Sequence, residues 1–224
     1  IGGTTTLATG SSKNITLDNT SNDFQDAVKI ITGSSSGGNN ITLVDAGDID
    51  LGASIVSGTY HVTAISGDIT EGVLARLNEI YYYKPLAVFL LIGINDIFNS
   101  DKPNRDKITE SYVANNILKI ANIVSKESPS TKLFVQTILP VNPKSYFKEN
   151  GFFPEHTVPL PDQINNINKI LKENDQLNVI DLHSTFVDAE GYLDTKYSGE
   201  GVHLNEAGYS NWANFINDKI ASLK

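Results

Sequence analysis

The feature that most constrains the fold is an alternation of buried-strand and helix patterns that begins at Glu71. After Pro85, the run LAVFLLIGI is apolar throughout, as a parallel strand covered on both faces requires. TKLFVQTIL and LNVIDLH repeat this pattern, and each strand-like run is followed by a segment with apolar residues at helical spacing. The alternation predicts an α/β fold, a three-layer sandwich around an open, mostly parallel sheet.

Four segments are predicted to be helical: EGVLARLNEIYYY, residues 109–126, DQINNINKILKEN and NEAGYSNWANFINDKIASLK. In residues 109–126 the helical spacing places one face towards the core, formed by Tyr112, Ile117, Ile120 and either Ile123 or Val124. Between the second strand and the third helix, PVNPKSYFKENGFFPEHTVPLP is predicted to be a long irregular loop that shapes a substrate cleft.

The first part of the chain has a different composition: residues 1–70 are rich in Gly, Ser, Thr, Asn and Asp and contain only two basic and two aromatic residues. We therefore predict a β-rich segment over residues 1–60, which supplies the first strands of the sheet, and an α/β domain over residues 61–224. The words NITL at positions 14–17 recur at positions 40–43, 26 residues later. A period of this length is typical of solenoids. Ordinary strands with one polar face would produce a similar sequence pattern.

Composition excludes several classes of function. A formal net charge of −9 argues against nucleic-acid binding, because phosphate contacts need clustered Lys and Arg. No apolar run approaches the roughly 18 residues of a membrane span. With no cysteine, the chain has no disulfide, no thiol nucleophile and no cysteine-ligated metal. We expect neither a metal nor a cofactor, and the oligomeric state is left open.

Three polar clusters stand where strands end and helices begin, the place where α/β folds collect their chemistry. They are Ile65-Ser66-Gly67-Asp68, Gly93-Ile94-Asn95-Asp96 and Glu200-Gly201-Val202-His203-Leu204-Asn205. Each residue has a structural alternative when taken singly. Gly67 would permit a tight turn, Asn95 would cap a helix, and His203 would be a solvated loop residue.

The same clusters carry a resemblance to a known family. ISGDITEGVLARL, LLIGIND and GEGVHLNEAGY, together with FVQTILPVNP, resemble the sequence blocks of SGNH (GDSL-like) ester hydrolases, over about residues 62–224. The resemblance implies a flavodoxin-like parallel sheet and serine-dependent acyl transfer without a cofactor. The implied substrate is a small acyl ester, of the esterase or carbohydrate-deacetylase type.

The resemblance also implies a role for each matching residue. The backbone N–H of Gly67 and the side-chain amide of Asn95 would form the oxyanion hole. His203 would act as general base and then as general acid towards the leaving alcohol. Glu200 would orient His203, at a position where the family usually has Asp. Its extra methylene group moves the carboxylate relative to that Asp.

The family's nucleophile block, Gly-Asp-Ser, is missing from this chain. After the strand-like ITLVDA, the sequence reads Gly47-Asp48-Ile49, so an isoleucine stands where the serine is expected. A second position lies after NITLDNTS, where Thr20 or Ser21 would end a strand. The alternatives to a hydrolase are therefore an inactive SGNH-like relative and a surface-protein fragment whose function lies in the first 70 residues.

NITLDNTSNDFQDAVKI and NITLVDAGDIDLGASIVSGTYHVTA resemble repeats of filamentous-haemagglutinin-like bacterial surface proteins, over about residues 1–66. This resemblance favours a secreted or cell-surface location in a bacterium. We hypothesise a chimeric chain, in which repeat-like sequence replaces the usual start of the fold and joins it near ISGDIT. ITLVDAG would then pair with LAVFLLIGI and cover its apolar edge, with TYHVTAI as the second strand.

Overall fold

The computed structural model describes residues 5–9, 15–17, 28–32, 41–45, 60–64, 68–98, 100 and 108–221. In the first part of the chain it contains five strands: β1 (Thr5–Thr9), β2 (Ile15–Leu17), β3 (Val28–Thr32), β4 (Ile41–Asp45) and β5 (Tyr60–Ala64). All of their pairings are parallel, with β1 beside β3 and with the order β2-β4-β5.

The two NITL copies lie on neighbouring strands. Ile15 pairs with Ile41, and Leu17 pairs with Leu43, so equivalent residues of the repeat are in register. Leu43 and Val28 are fully buried. Parallel stacking of equivalent residues is what the solenoid interpretation of the repeat requires, because each unit then covers the apolar face of the next.

One predicted strand pairing is wrong. The described part of ITLVDAG, β4, does not pair with LAVFLLIGI, because β4 bonds to β2 on one side and to β5 on the other. β5, the TYHVTAI segment, is instead the strand whose backbone comes close to β6 (Ala87–Leu90). The other NITL copy, on β2, occupies one edge of β4, and β5 occupies the other edge and approaches the second sheet.

The second sheet has the predicted α/β character. Its parallel strands are β6, β7 (Lys132–Gln136) and β8 (Val179–Ile180), in the order β6-β7-β8. The helices are α1 (Thr70–Ala75), α2 (Asn78–Tyr83), α3 (Ile94–Phe98), α4 (Glu110–Glu127), α5 (Pro143–Asn150), α6 (Leu160–Lys172) and α7 (Glu206–Ala221). The alternation of strand and helix after Glu71 is therefore confirmed.

The structure differs from the sequence prediction in three elements. EGVLARLNEIYYY forms two short helices, α1 and α2, because the chain turns at Arg76 and sends Leu77 into the core. The segment predicted to be an irregular loop contains α5. Asn142 caps this helix, accepting a hydrogen bond from the N–H of Ser145, and Gly151 ends it in a left-handed conformation with φ of +76°. The third strand is only β8, followed by a short 3-10 turn.

Two apolar clusters cover opposite faces of the second sheet. Along β7, Leu133 and Val135 belong to one cluster, and Phe134 packs against the other, as the alternation of side chains along a strand dictates. On the first face α4 buries Val113, Ala114, Ile117, Ile120 and Val124, whereas Tyr112 and Ile123 are only partly buried. On the second face α7 contributes Trp212 and Ile216. Helices on both faces give the three-layer sandwich.

A buried carboxylate joins three of the helices. Asp96 of α3 is fully buried, and its two oxygens accept hydrogen bonds from the backbone N–H of Thr70, at 3.0 Å, and from its hydroxyl, at 2.7 Å. The amide of Asn116, on α4, donates to the same hydroxyl at 2.8 Å. Since α1 has no side-chain cap of its own, Asp96 satisfies its first N–H from a distance.

We expect Asp96→Ala to lower the free energy of unfolding by about 2 kcal/mol, because it leaves the buried N–H and hydroxyl of Thr70 without their acceptor. The matched control is Asp175→Ala, which removes a carboxylate from an exposed turn. Urea unfolding followed by circular dichroism measures both. Equal stability of the two variants would contradict a structural role for Asp96.

Candidate active site

The turn that carries His203 is held in one shape by Glu200. Glu200 Oε1 accepts hydrogen bonds from the Nδ1–H of His203, at 3.1 Å, and from the backbone N–H groups of Val202 and His203. At Gly201 the backbone has φ of +90°, and a Cβ there would lie 2.4 Å from the carbonyl oxygen of Asn142. Only glycine fits this position.

The electrostatics of the pair follow from these bonds. Burial disfavours the charged form of Glu200, but the hydrogen bonds from the side chain and backbone of His203 outweigh it and lower the pKa of the carboxyl. Glu200 is therefore an anion at neutral pH. Its bond to Nδ1–H fixes the tautomer of His203, so that Nε2 of the half-exposed ring is left as the proton acceptor.

Asn95 lies at the start of α3, directly after β6. Gly93 makes the strand-to-helix turn with φ of +121°. The side-chain amide of Asn95 donates to the carbonyl oxygen of Asp68 at 3.0 Å. An amide has two hydrogens, so this bond orients the group and leaves a second hydrogen for another acceptor. Asp68 is in turn paired with Arg76.

The structure brings some of the predicted site residues together. Glu200 contacts His203 directly, and Asn95 binds the residue that follows Gly67. Gly67 itself lies outside the described residues, and so do the possible nucleophile positions Thr20, Ser21 and Ile49. Within the described ranges, no serine or threonine hydroxyl forms a hydrogen bond with the imidazole of His203.

Ser100 and His156 form a serine–histidine contact, but its polarity is wrong for catalysis. Ser100 Oγ lies 3.4 Å from Nδ1 of His156 and 2.8 Å from the carbonyl oxygen of Ile97. A hydroxyl has one hydrogen, and the shorter contact with the carbonyl takes it. His156 is then the donor, so its ring cannot remove the proton of Ser100. The contact between Ser100 and His156 joins the 151–159 segment to the chain just after α3.

His183 anchors the segment that follows β7. Its Nδ1–H donates to the carbonyl oxygen of Ile138 at 2.9 Å, and its backbone N–H donates to Thr137 Oγ1 at 2.8 Å. Asn168 pairs with the N–H and the carbonyl of the same Ile138. Burial lowers the pKa of His183 below its ordinary value of 6.5, although the bond to Ile138 acts in the opposite direction.

This lowered pKa predicts a loss of stability in acid. Below about pH 6.5 the unfolded chain binds a proton at His183 that the folded chain does not. The free energy of unfolding therefore decreases as the pH is lowered. His183→Gln removes the titrating group, and we expect it to show a smaller loss than the parent protein between about pH 7.5 and about pH 5. Urea unfolding at both pH values measures the difference. Parallel losses in the two proteins would contradict the assignment.

Among the described residues, no cluster of three or more His, Asp or Glu side chains is arranged to hold a metal ion. In the same part of the chain, no helix combines the length and the apolar character needed to cross a membrane.

Comparison with known proteins defines the class. The model of the GDSL-like lipase/acylhydrolase family matches residues 34–210, and the chain belongs to this family. The match begins well before residue 62, so it includes β4 and β5. A family of repeats of unknown function matches residues 1–31, in agreement with the repeat noted in the sequence. No curated protein matches the chain.

Solved structures show the same fold. A GDSL-like lipase from Bacteroides thetaiotaomicron is 20% identical, with a TM-score of 0.59 over 74% of this chain and 77% of the other. A lipase/acylhydrolase from Enterococcus faecalis is 22% identical, with a TM-score of 0.52 over 72% and 76%. Axe2, an acetylxylan esterase from Geobacillus stearothermophilus, is 18% identical, with a TM-score of 0.53 over 72% and 73%.

Proposed function

We propose that this protein is an acyl-ester hydrolase of the esterase or carbohydrate-deacetylase type, whose attacking hydroxyl is displaced from the family's usual position. The observation that carries the proposal is the Glu200–His203 pair. An anionic carboxylate bound to Nδ1–H leaves Nε2 as a base, which is the arrangement that activates a hydroxyl. Family membership supplies the ester as the substrate class.

The residues divide the reaction between them. His203 Nε2 takes the proton of the attacking hydroxyl while its oxygen bonds to the ester carbonyl carbon. The amide of Asn95 and the N–H of Gly67 bind the oxyanion that forms. His203 then gives its proton to the leaving alcohol as the ester bond breaks. Water cleaves the acyl-enzyme by the same steps, and Glu200 stabilises the imidazolium in both halves.

A carbohydrate ester is the substrate that we favour. The acetylxylan esterase from Geobacillus stearothermophilus has the same fold, and an acetylxylan is an acetylated carbohydrate.

A second candidate is a chain that binds acyl esters without hydrolysing them. It is favoured by the absence of Gly-Asp-Ser from the sequence and by Ile49 at the corresponding position. Thr20 and Ser21 fall within the residues matched by the repeat family, and the hydrolase match begins after them. Measurement of activity separates the two candidates.

For the hydrolase, we expect His203→Ala to lower kcat on a short-chain aryl ester by about 10³-fold, because the general base and acid is removed. The control is Asn115→Ala, a substitution on the exposed face of α4. Initial rates, together with circular dichroism to confirm folding, measure the effect. Equal rates for the parent protein, His203→Ala and the buffer blank would leave the second candidate.

The attacking hydroxyl can be identified directly. An alkyl fluorophosphonate forms a stable bond to an activated serine or threonine, and peptide mass spectrometry locates it. We expect the label on Ser21 or Thr20, and no label in the His203→Ala variant. Labelling of another residue would move the nucleophile there. No label in any variant would contradict covalent catalysis by this chain.

A further inference from the structure

An aromatic cluster lies beside the candidate site, and three of its four members belong to the 140–161 segment that the sequence predicts to shape a substrate cleft. Its members are Phe98, Tyr146, Phe152 and Phe153. The ring centroids of Phe98 and Tyr146 are 5.5 Å apart, and Tyr146 lies 5.7 Å from Phe153 and 5.8 Å from Phe152. All these contacts are edge-to-face, the favourable geometry for aromatic pairs. The rings therefore hold each other in fixed positions.

The aromatic cluster connects the two elements that carry the candidate catalytic side chains. At one end, Phe98 is three residues after Asn95 on α3, so the two share one side of the helix. At the other end, α5 packs against the turn of His203. The N–H of Asn142 donates to the carbonyl oxygen of Gly201 at 2.7 Å, and Ser145 closes the space above this glycine. Tyr146 is the next residue of α5.

Phe152 has an exposed apolar surface, and Tyr146 has a hydroxyl group that is available for a ligand. The Phe152 side chain is 56% exposed, although it is large and apolar. In the described part of the chain, the hydroxyl of Tyr146 has no hydrogen-bond partner. Burial, and after it the charge of Glu200, raises the pKa of Tyr146 above its ordinary value of 10.0, so the hydroxyl remains a donor.

The chemistry of ester hydrolysis indicates which part of the substrate lies next to the aromatic cluster. The general acid must touch the leaving oxygen, so the alcohol part of the ester lies next to His203 and therefore next to the turn on which α5 packs. A saccharide ring offers flat C–H faces to aromatic rings and oxygen acceptors to a phenol. A linear alcohol offers neither.

We propose that the aromatic cluster binds a saccharide ring, the alcohol portion of the ester substrate, and that Tyr146 is its specificity-determining residue. The inference rests on the proposed hydrolase function and adds the side chains that recognise the sugar. Tyr146 contributes both ring contact and a hydrogen bond.

The kinetic test compares two acetate esters that differ only in the alcohol: an acetylated methyl pyranoside and hexyl acetate. We expect Tyr146→Ala to raise KM for the pyranoside ester by about 20-fold, from the loss of one ring contact and one hydrogen bond. Tyr146→Phe keeps the ring packing and should raise it about fivefold. KM for hexyl acetate should change less than twofold in both variants. Phe147→Ala, an exposed ring on the same helix outside the aromatic cluster, is the control.

A binding measurement keeps the inference testable apart from catalysis. Saturation-transfer NMR with the unacetylated methyl pyranoside should show contact with the parent protein, and a weaker signal with Tyr146→Phe. If the parent protein hydrolyses no ester but shows this pattern, the hydrolase proposal fails and the saccharide site stands. Equal signals in the two proteins, or equal KM changes on both esters, would overturn the saccharide site.

Discussion

The buried carboxylate of Asp96 is the interaction on which the candidate site depends. By accepting both hydrogen bonds from Thr70, it fixes the start of α1 against α3. Asp68 lies two residues before Thr70, and its carbonyl oxygen holds the amide of Asn95. A carboxyl group with no solvent exposure stays in the core only when its oxygens are hydrogen-bonded, so the position of Asn95 follows from the same network.

The other half of the site depends on backbone packing. Gly201 allows the carbonyl of Asn142 to approach closer than any side chain would permit, and this contact joins α5 to the turn of Glu200 and His203. The two elements of the candidate site are thus positioned separately, one on α3 and one on the 200–203 turn. The aromatic cluster connects them, because Phe98 of α3 contacts Tyr146 of α5, the helix that packs on the 200–203 turn.

The strands of the first part of the chain come close to the α/β sheet between β5 and β6. Each repeat strand is parallel to its neighbour, and so are the strands of the α/β sheet. β5 is the last strand of the first stack, and its backbone lies close to β6, the first strand of the α/β sheet. ITLVDAG could not take this position, because the register of the repeat places β4 between β2 and β5.

The sequence by itself determined the α/β alternation, the repeat and the family, because apolar periodicity and short motifs are local properties of the chain. It also placed Glu200 three residues from His203, within reach of one turn. Only the tertiary structure decided the rest. The N–H of Thr70 and the carboxylate of Asp96 are 26 residues apart, and the rings of Phe98 and Tyr146 are brought together by two different helices. Hydrogen bonds and ring contacts between distant segments depend on how the helices pack on the sheet, and no local pattern encodes that packing.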